Sequence, residues 1–291
     1  MKILLLIPFI HHKNEYALKH YTKINITTIS CDKEMEEYDL NQFDCVYSPS
    51  EPIDVSLYPN TKFIFGPHFS VLPNEKMLQI KGQKNVIYNC LCEWVKNSWK
   101  KSNLCEGVRF VPIPFGIDTL KFQPEKPIQK RTNAFVYVKS RSAEDLDFVQ
   151  QILYKYNIDY TIFSYRKRYN EEEYINCLKN AKFGIWLDAH ESQGFALQEA
   201  LSCNVPLLVW NIKSMNQEYN SSYPNIRATT IPYWDARCGE FFYFAEQMEI
   251  TLRMFLSKLE HYTPRNFILE NLSMEVCERR LMEYITNFYD I

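Results

Sequence analysis

Glycine is scarce in this chain: there are seven in 291 residues, and no Gly-x-Gly-x-x-Gly string among them. A conventional dinucleotide-dependent dehydrogenase needs those glycines for the tight turn and for close backbone approach to a pyrophosphate, so their absence argues against that class. Charge of one sign is also lacking. Thirty-three Lys and Arg face 35 Asp and Glu, a formal charge of −2, which leaves no electrostatic footprint for nucleic acid. The local run Arg166-Lys167-Arg168 reads as a solvated loop. No apolar run reaches spanning length, so no transmembrane segment is predicted. The apolar start Met1 to Ile7 stops at Pro8 and has no small-residue cleavage site before His11-His12-Lys13. It reads as a first buried strand rather than a signal peptide, and the chain is expected to be cytoplasmic. Nine cysteines, an odd number spread along the chain, make no disulfide framework. Cys90-x-Cys92 has no second pair and no histidine at zinc-site spacing, so neither a metal nor any other cofactor is expected.

Hydrophobic residues make up 46% of the chain, and its length accommodates two domains, each with its own core. Strand-like and helix-like pieces alternate, the sequence form of a parallel α/β sheet. In the first half, strands are predicted over Lys2 to Pro8, Ile24 to Ser30, Phe43 to Tyr47, Lys62 to Phe65, Asn85 to Tyr88 and Val108 to Ile113. The polar stretch Gln123 to Arg131, with prolines at 124 and 127, reads as a hinge. The alternation then restarts at Ala134 to Val138. The expected division is residues 1–126 as one Rossmann-like domain and 127–271 as another, with a C-terminal helix from about residue 272 to 291. A turn over 231–239 is expected to lead into helices that continue to the end.

The most informative stretch is His190 to Leu201, where Glu191 and Glu199 stand eight positions apart around Gly194-Phe195-Ala196. It lies between two continuously apolar runs, Phe183 to Leu187 and Val205 to Trp210, as expected of parallel strands buried on both faces. A helix starting near Gly194 would direct its first backbone N–H groups out of the carboxyl edge of the sheet, where the helix dipole favours an anion. Ionised glutamates accept hydrogen bonds only, which suits sugar hydroxyls. This pattern resembles the Glu-x7-Glu signature of the family-four-type glycosyltransferases, which have the GT-B fold: two Rossmann-like domains facing each other across a cleft, with the C-terminal helix packing back on the first. The segment Val111 to Pro124, containing Pro114-Phe115-Gly116-Ile117-Asp118, resembles the Pro-x-Gly-Val/Ile-Asp segment that ends the first domain in those enzymes. Its Asp118 is suited to bond its own backbone in a turn. The short first domain resembles those of glycosyltransferases from large DNA viruses.

The resemblance implies transfer of a sugar from a UDP- or GDP-sugar to a glycan or other hydroxyl acceptor, without a metal and with retention of configuration. Glu191 would contact the donor sugar and Glu199 the ribose. The implied donor-binding set is Lys139, Arg141, Tyr165, Ser192, Gly194, Phe195, Ala196, Leu197 and Glu199. Lys139 and Arg141 follow a strand where such enzymes carry the basic residues that meet the diphosphate. The glycine normally beside them is absent, and Cys203-Asn204-Val205-Pro206 has Asn where the family has Gly; Asn tolerates a left-handed backbone. Asp145-Leu146-Asp147 matches the Asp-x-Asp string of metal-dependent glycosyltransferases, but its surroundings read as the first turn of a helix.

His68, just past a first-domain strand, is a candidate catalytic residue, and His11 and Glu15 are acceptor-side candidates. An inverting enzyme would take its base from these three. A sugar-nucleotide 2-epimerase and a non-catalytic nucleotide-sugar or carbohydrate binder are the rival readings.

Overall fold

The computed structural model describes residues 1–68, 71–167 and 169–291. Two compact units divide the chain: Met1–Gly116 with Met274–Ile291, and Ile117–Ser273. Both are built on parallel sheets. No helix of the described residues is long and apolar enough to cross a membrane. The nine cysteines are free thiols, most of them buried.

The first unit contains β1 (Lys2–Leu6), β2 (Asn25–Ile29), β3 (Cys45–Ser48), β4 (Phe63–Phe65), β5 (Val86–Asn89) and β6 (Phe110–Val111). Their order in the sheet is β2-β1-β3-β4-β5-β6, with every pairing parallel. The crossovers are modest. They comprise the helices α1 (His12–Lys19) and α2 (Glu93–Trp99) and several 3-10 turns, the longest being Asp32–Glu37 and Glu75–Ile80. Ile3, Leu4, Tyr47, Phe63, Phe65 and Ile87 are fully buried, the two-sided burial that a parallel sheet requires. The last helix of the chain (Met274–Thr286) completes this unit. Its buried Glu278 accepts the backbone N–H of Ile24 at 3.2 Å. Towards its end, Lys62 Nζ reaches the Ile285 carbonyl at 3.0 Å and Arg109 the Phe288 carbonyl at 2.7 Å.

The second unit contains β7 (Asn133–Val138), α3 (Ala143–Lys155), β8 (Tyr160–Ser164), α4 (Glu171–Asn180), β9 (Ala181–Leu187), α5 (Phe195–Ser202), β10 (Leu207–Trp210), β11 (Gly239–Phe242), α6 (Met248–Ser257) and α7 (Pro264–Asn271). The sheet order is β11-β10-β9-β7-β8, again parallel throughout. Counted within its own unit this is 2-1-3-4-5, the order of the first five strands of the other sheet, and both units are compatible with Rossmann-like folds.

Side chains alternate along these strands with the period of two that a strand imposes. Ala134 and Val136 of β7, with Phe183, Ile185 and Leu187 of β9, join Val149 and Leu153 of α3 and Leu252 and Phe255 of α6 in one core. The residues between them pack on α4: the Phe135 ring meets Tyr174 at 6.1 Å, and the Tyr137 ring stacks on Trp186 at 4.0 Å. Gly184 leaves the space that Phe135 fills, since a Cβ there would lie 2.4 Å from its ring.

Asp145 lies in the first turn of α3, as its sequence context predicts, capped by Ser142, whose hydroxyl accepts the Asp145 N–H at 3.1 Å. Gly239, the last residue of the expected turn, and residues 240–242, where helices were expected to follow, form the edge strand β11 instead. Its pairing with β10 supplies the backbone partners that local sequence does not reveal.

Candidate functional site

Strand order in the second unit reverses between β7 and β9, and in open parallel sheets ligands bind outside the carboxyl ends of the strands at such a switch point. Two short segments leave the sheet there. After β7 come Lys139, Ser140 and Arg141; after β9 come Asp188, Ala189, His190 and Glu191. Lys139 Nζ pairs with Glu191 Oε1 and lies 3.9 Å from Asp188 Oδ2. The same ammonium stands 5.2 Å from the Tyr165 ring, which is 57% exposed in the turn after β8.

Arg141 behaves differently from its neighbour. Its guanidinium donates to the carbonyls of Asp188 and Trp210, both at 2.8 Å, and lies 5.1 Å over the Trp210 ring. It ties together the ends of β9 and β10 and is buried. Ser140, between the two basic residues, adopts φ 54, the left-handed region that glycine occupies without steric cost. Asn204 has φ 55, the conformation for which asparagine is suited.

Glu191 is followed by half-buried Ser192 and buried Gln193 and then by α5. Gln193 and Gln198 are locked together, with Gln198 Nε2 donating to the Gln193 carbonyl at 2.6 Å and Gln193 Nε2 donating to Gln198 Oε1 at 3.2 Å. This fixes the approach to Gly194, the helix N-cap, which has φ 82 and ψ 54. As a glycine, Gly194 has no side chain with which to cap this end of α5. Phe195 and Ala196 are half-buried in the first turn, and Leu197 is buried behind them. Glu199 is 4% exposed within the helix, and Tyr169 and Tyr174 lie close enough to feel its charge. The Tyr174 hydroxyl donates to the Ala196 carbonyl at 2.8 Å.

A segment between β10 and β11 returns to the same place, and no motif in the sequence marks it. Asn211 Oδ1 accepts the N–H of Thr230 and the hydroxyl of Thr229, both at 2.9 Å, and the Thr229 carbonyl accepts the Glu191 N–H at 3.1 Å. Tyr219 N–H donates to the Ser140 carbonyl at 3.1 Å. These bonds bring Glu218 Oε2 to 3.1 Å from His190 Nδ1, with the Tyr223 ring 5.1 Å from the imidazole.

Burial and mutual charge sort the protonation states. Burial opposes the Lys139 charge, yet Glu191 and Asp188 outweigh it and hold the ammonium above the ordinary lysine range. Burial pushes the Asp188 carboxyl well up; Lys139 pulls against this, and Glu191 adds to it. Burial would raise Glu191 as well, but Lys139 and a hydrogen bond with Asp188 bring it below the ordinary range. Asp188 therefore favours the proton and Glu191 the charge. Burial lowers His190 to about 4, leaving it neutral at neutral pH. Burial also raises Glu218, against Lys139 and a hydrogen bond with Ser140. The arrangement offers a cation for an anionic ligand, carboxylates for hydroxyl donors, and a helix N-terminus beside both.

In the first unit, His68 follows β4. Its backbone N–H donates to the Tyr88 hydroxyl at 3.2 Å, its Nδ1 meets the same oxygen, and its ring lies 5.1 Å from Trp99. Burial lowers its pKa, and Glu51, held at 2.7 Å by Asn74, pulls it back up. Phe69 lies outside the described residues, as does Arg168 of the basic run. His11 caps α1, its Nδ1 accepting the Lys13 N–H at 3.3 Å, and Glu15 pairs with Lys19 at 2.6 Å. Both carry local structural roles in α1, on a different loop from His68. At the junction segment Asp118 Oδ1 accepts the N–H groups of Leu120 and Lys121 at 3.1 and 2.8 Å, the self-bonding turn its sequence suggests.

No family model matches the chain, and no curated protein matches it. Among the described residues no group of three or more His, Cys, Asp or Glu side chains is arranged to hold a metal ion.

Proposed function

We propose that the second unit binds a nucleoside-diphosphate sugar and that the chain is a glycosyltransferase of the GT-B kind, transferring that sugar to a hydroxyl acceptor without a metal. The observation that carries this reading is the meeting of Lys139 and Glu191 at the sheet's switch point, beside the glycine-started helix that holds Glu199. Lys139 and the first turn of α5 would take the diphosphate. Glu191 would accept hydrogen bonds from the sugar, and Glu199 from the ribose. Tyr165, exposed beside Lys139, would contribute a ring face to the donor. Of the two basic residues, Lys139 is assigned to phosphate and Arg141 to holding the strand ends, because the guanidinium is engaged with two carbonyls.

The leaving diphosphate is proposed to assist deprotonation of the acceptor, giving retention. Calorimetry with UDP and GDP in the presence of a chelator tests the binding claim; loss of all binding on chelation would remove the metal-free assignment. Proton NMR of the new anomeric centre tests the stereochemistry. Retention predicts that His68→Ala keeps measurable activity, whereas a side-chain base would make that loss about 10²- to 10⁴-fold.

A further inference from the structure

The β10–β11 segment adds a carboxylate that neither the strand ends nor α5 supplies. Glu218 stands 3.1 Å from His190 and within electrostatic reach of Lys139, Ser140, Arg166 and Glu191, with its side chain 22% exposed. Glu191 is 18% exposed and Lys139 25%, so these three groups all present surface at the same place. Lys139 is paired with Glu191 and has Asp188 beside it, Arg141 is held by carbonyls and lies 3.8 Å from Asp145, and His190 is neutral near pH 7. Arg166 lies 5.4 Å from the Tyr219 ring and close enough to Glu218 to favour its charge. A ligand group beside Glu191 and Glu218 therefore meets two acidic side chains, and the lysine that acts on both is already paired with Glu191.

Resting on the nucleotide-sugar reading above, we propose that Glu218 and Glu191 make the sugar pocket selective for uncharged, hydroxyl-rich sugars, and that Glu218 is a specificity-determining residue against sugars bearing a carboxylate. Hydroxyls donate to both glutamates, which have only acceptors to offer. A uronic-acid carboxylate brings a third negative charge to the same partly buried place, where like charges destabilise one another. Lys139 does not relieve this, because the donor's diphosphate and Glu191 compete for it.

The test compares matched donors by calorimetry at neutral pH: UDP-glucose with UDP-glucuronate, and GDP-mannose with GDP-mannuronate, with UDP and GDP as controls. The uronate of the nucleotide series that binds should be weaker than its neutral counterpart by about tenfold or more. Glu218→Gln, which keeps the shape and removes the charge, should narrow that gap to within about threefold while leaving affinity for the free diphosphate within about twofold. Equal or tighter uronate binding by the unaltered protein overturns the inference and leaves the nucleotide reading standing. Binding of a diphosphate without binding of either sugar form overturns the inference and counts against the sugar-donor reading as well. Failure of both UDP and GDP to bind removes the underlying reading and the inference with it. A gap that persists unchanged in a folded Glu218→Gln protein overturns the assignment to Glu218.

Discussion

The two units share a strand order and differ in the residues just beyond their strand ends. In the first, β4 leads to His68 among Tyr88 and Trp99, with Glu51 nearby, so aromatic surface dominates the surroundings. In the second, β7 and β9 lead to Lys139, Asp188 and Glu191, and Glu218 joins them from the segment after β10. The crossovers differ too. The second unit connects its first three strands through α3 and α4, whereas the first passes from β2 to β3 and from β4 to β5 through 3-10 turns and loops. A common topology thus carries two kinds of strand end, and the chemistry resides in the few residues beyond the last sheet hydrogen bond. Buried charge is costly unless paired, so the second unit should be the more sensitive to single substitutions at its edge.

The largest effect is expected at Lys139. Lys139→Met leaves Glu191 and Asp188 without their cation and should destabilise the second unit by roughly 2–4 kcal/mol, the scale for breaking a largely buried pair. Urea unfolding followed separately in the two units measures it. Glu191→Gln in the same chain should recover part of the loss, and a full loss in the double variant would mean that packing of the lysine stem, not charge, sets the cost.

Acid should expose a second contrast. His190 titrates at about 4 in the folded chain against 6.5 ordinarily, so between those values the unfolded chain binds a proton that the native chain does not. Stability should therefore fall as pH drops through this window, by up to about 3 kcal/mol from this group. Asp188 acts with opposite sign. Its raised pKa favours the native state at low pH, and that contribution is lost as pH rises through the folded value. His190→Gln should flatten the acid limb and Asp188→Asn the limb of opposite slope. Identical pH profiles for the two variants would contradict a neutral His190 beside a protonated Asp188.

A third contrast lies within the site. Glu199→Ala should weaken diphosphate-nucleotide binding by about 1–3 kcal/mol, as for lost hydrogen bonds to a charged acceptor. Glu191→Ala frees Lys139, so diphosphate affinity should hold or rise while turnover of the intact sugar nucleotide falls. Matching losses in diphosphate affinity would show that the two glutamates do not divide the ligand in this way. The smallest change is expected at Gly194. A methyl there has room, its nearest neighbour being Glu191 Cβ at 3.6 Å, but φ 82 disfavours alanine, so Gly194→Ala should cost about 1–2 kcal/mol by thermal unfolding.

Much of this architecture is written in local pattern. Continuous apolar runs mark β9 and β10, and a glycine between glutamates marks the start of α5, because burial on both faces and a left-handed N-cap each demand particular residue types. The parts that are not legible depend on distance. Asp188 directly follows an apolar strand, and only the fold shows that it is buried beside Lys139, far back along the chain. Glu218 reaches the site because Asn211, Thr229 and Ser140 pin its segment through hydrogen bonds between remote residues. Strand β11 is four residues long, with only its ends buried, so it shows no periodicity until β10 lies beside it. Arg141 and Lys139 look equivalent in sequence, and what separates them is the position of two carbonyls at the ends of β9 and β10.

The central claim is that the charged strand ends of the second unit, rather than the aromatic ones of the first, hold the nucleotide diphosphate. Hydrogen–deuterium exchange with and without saturating UDP or GDP, chelator present, tests it most directly. The account predicts slowed exchange at residues 139–141 and across 191–199, with residues 7–15 and 66–68 unchanged. Protection confined to the first unit, or none at a concentration where calorimetry detects binding, would contradict it.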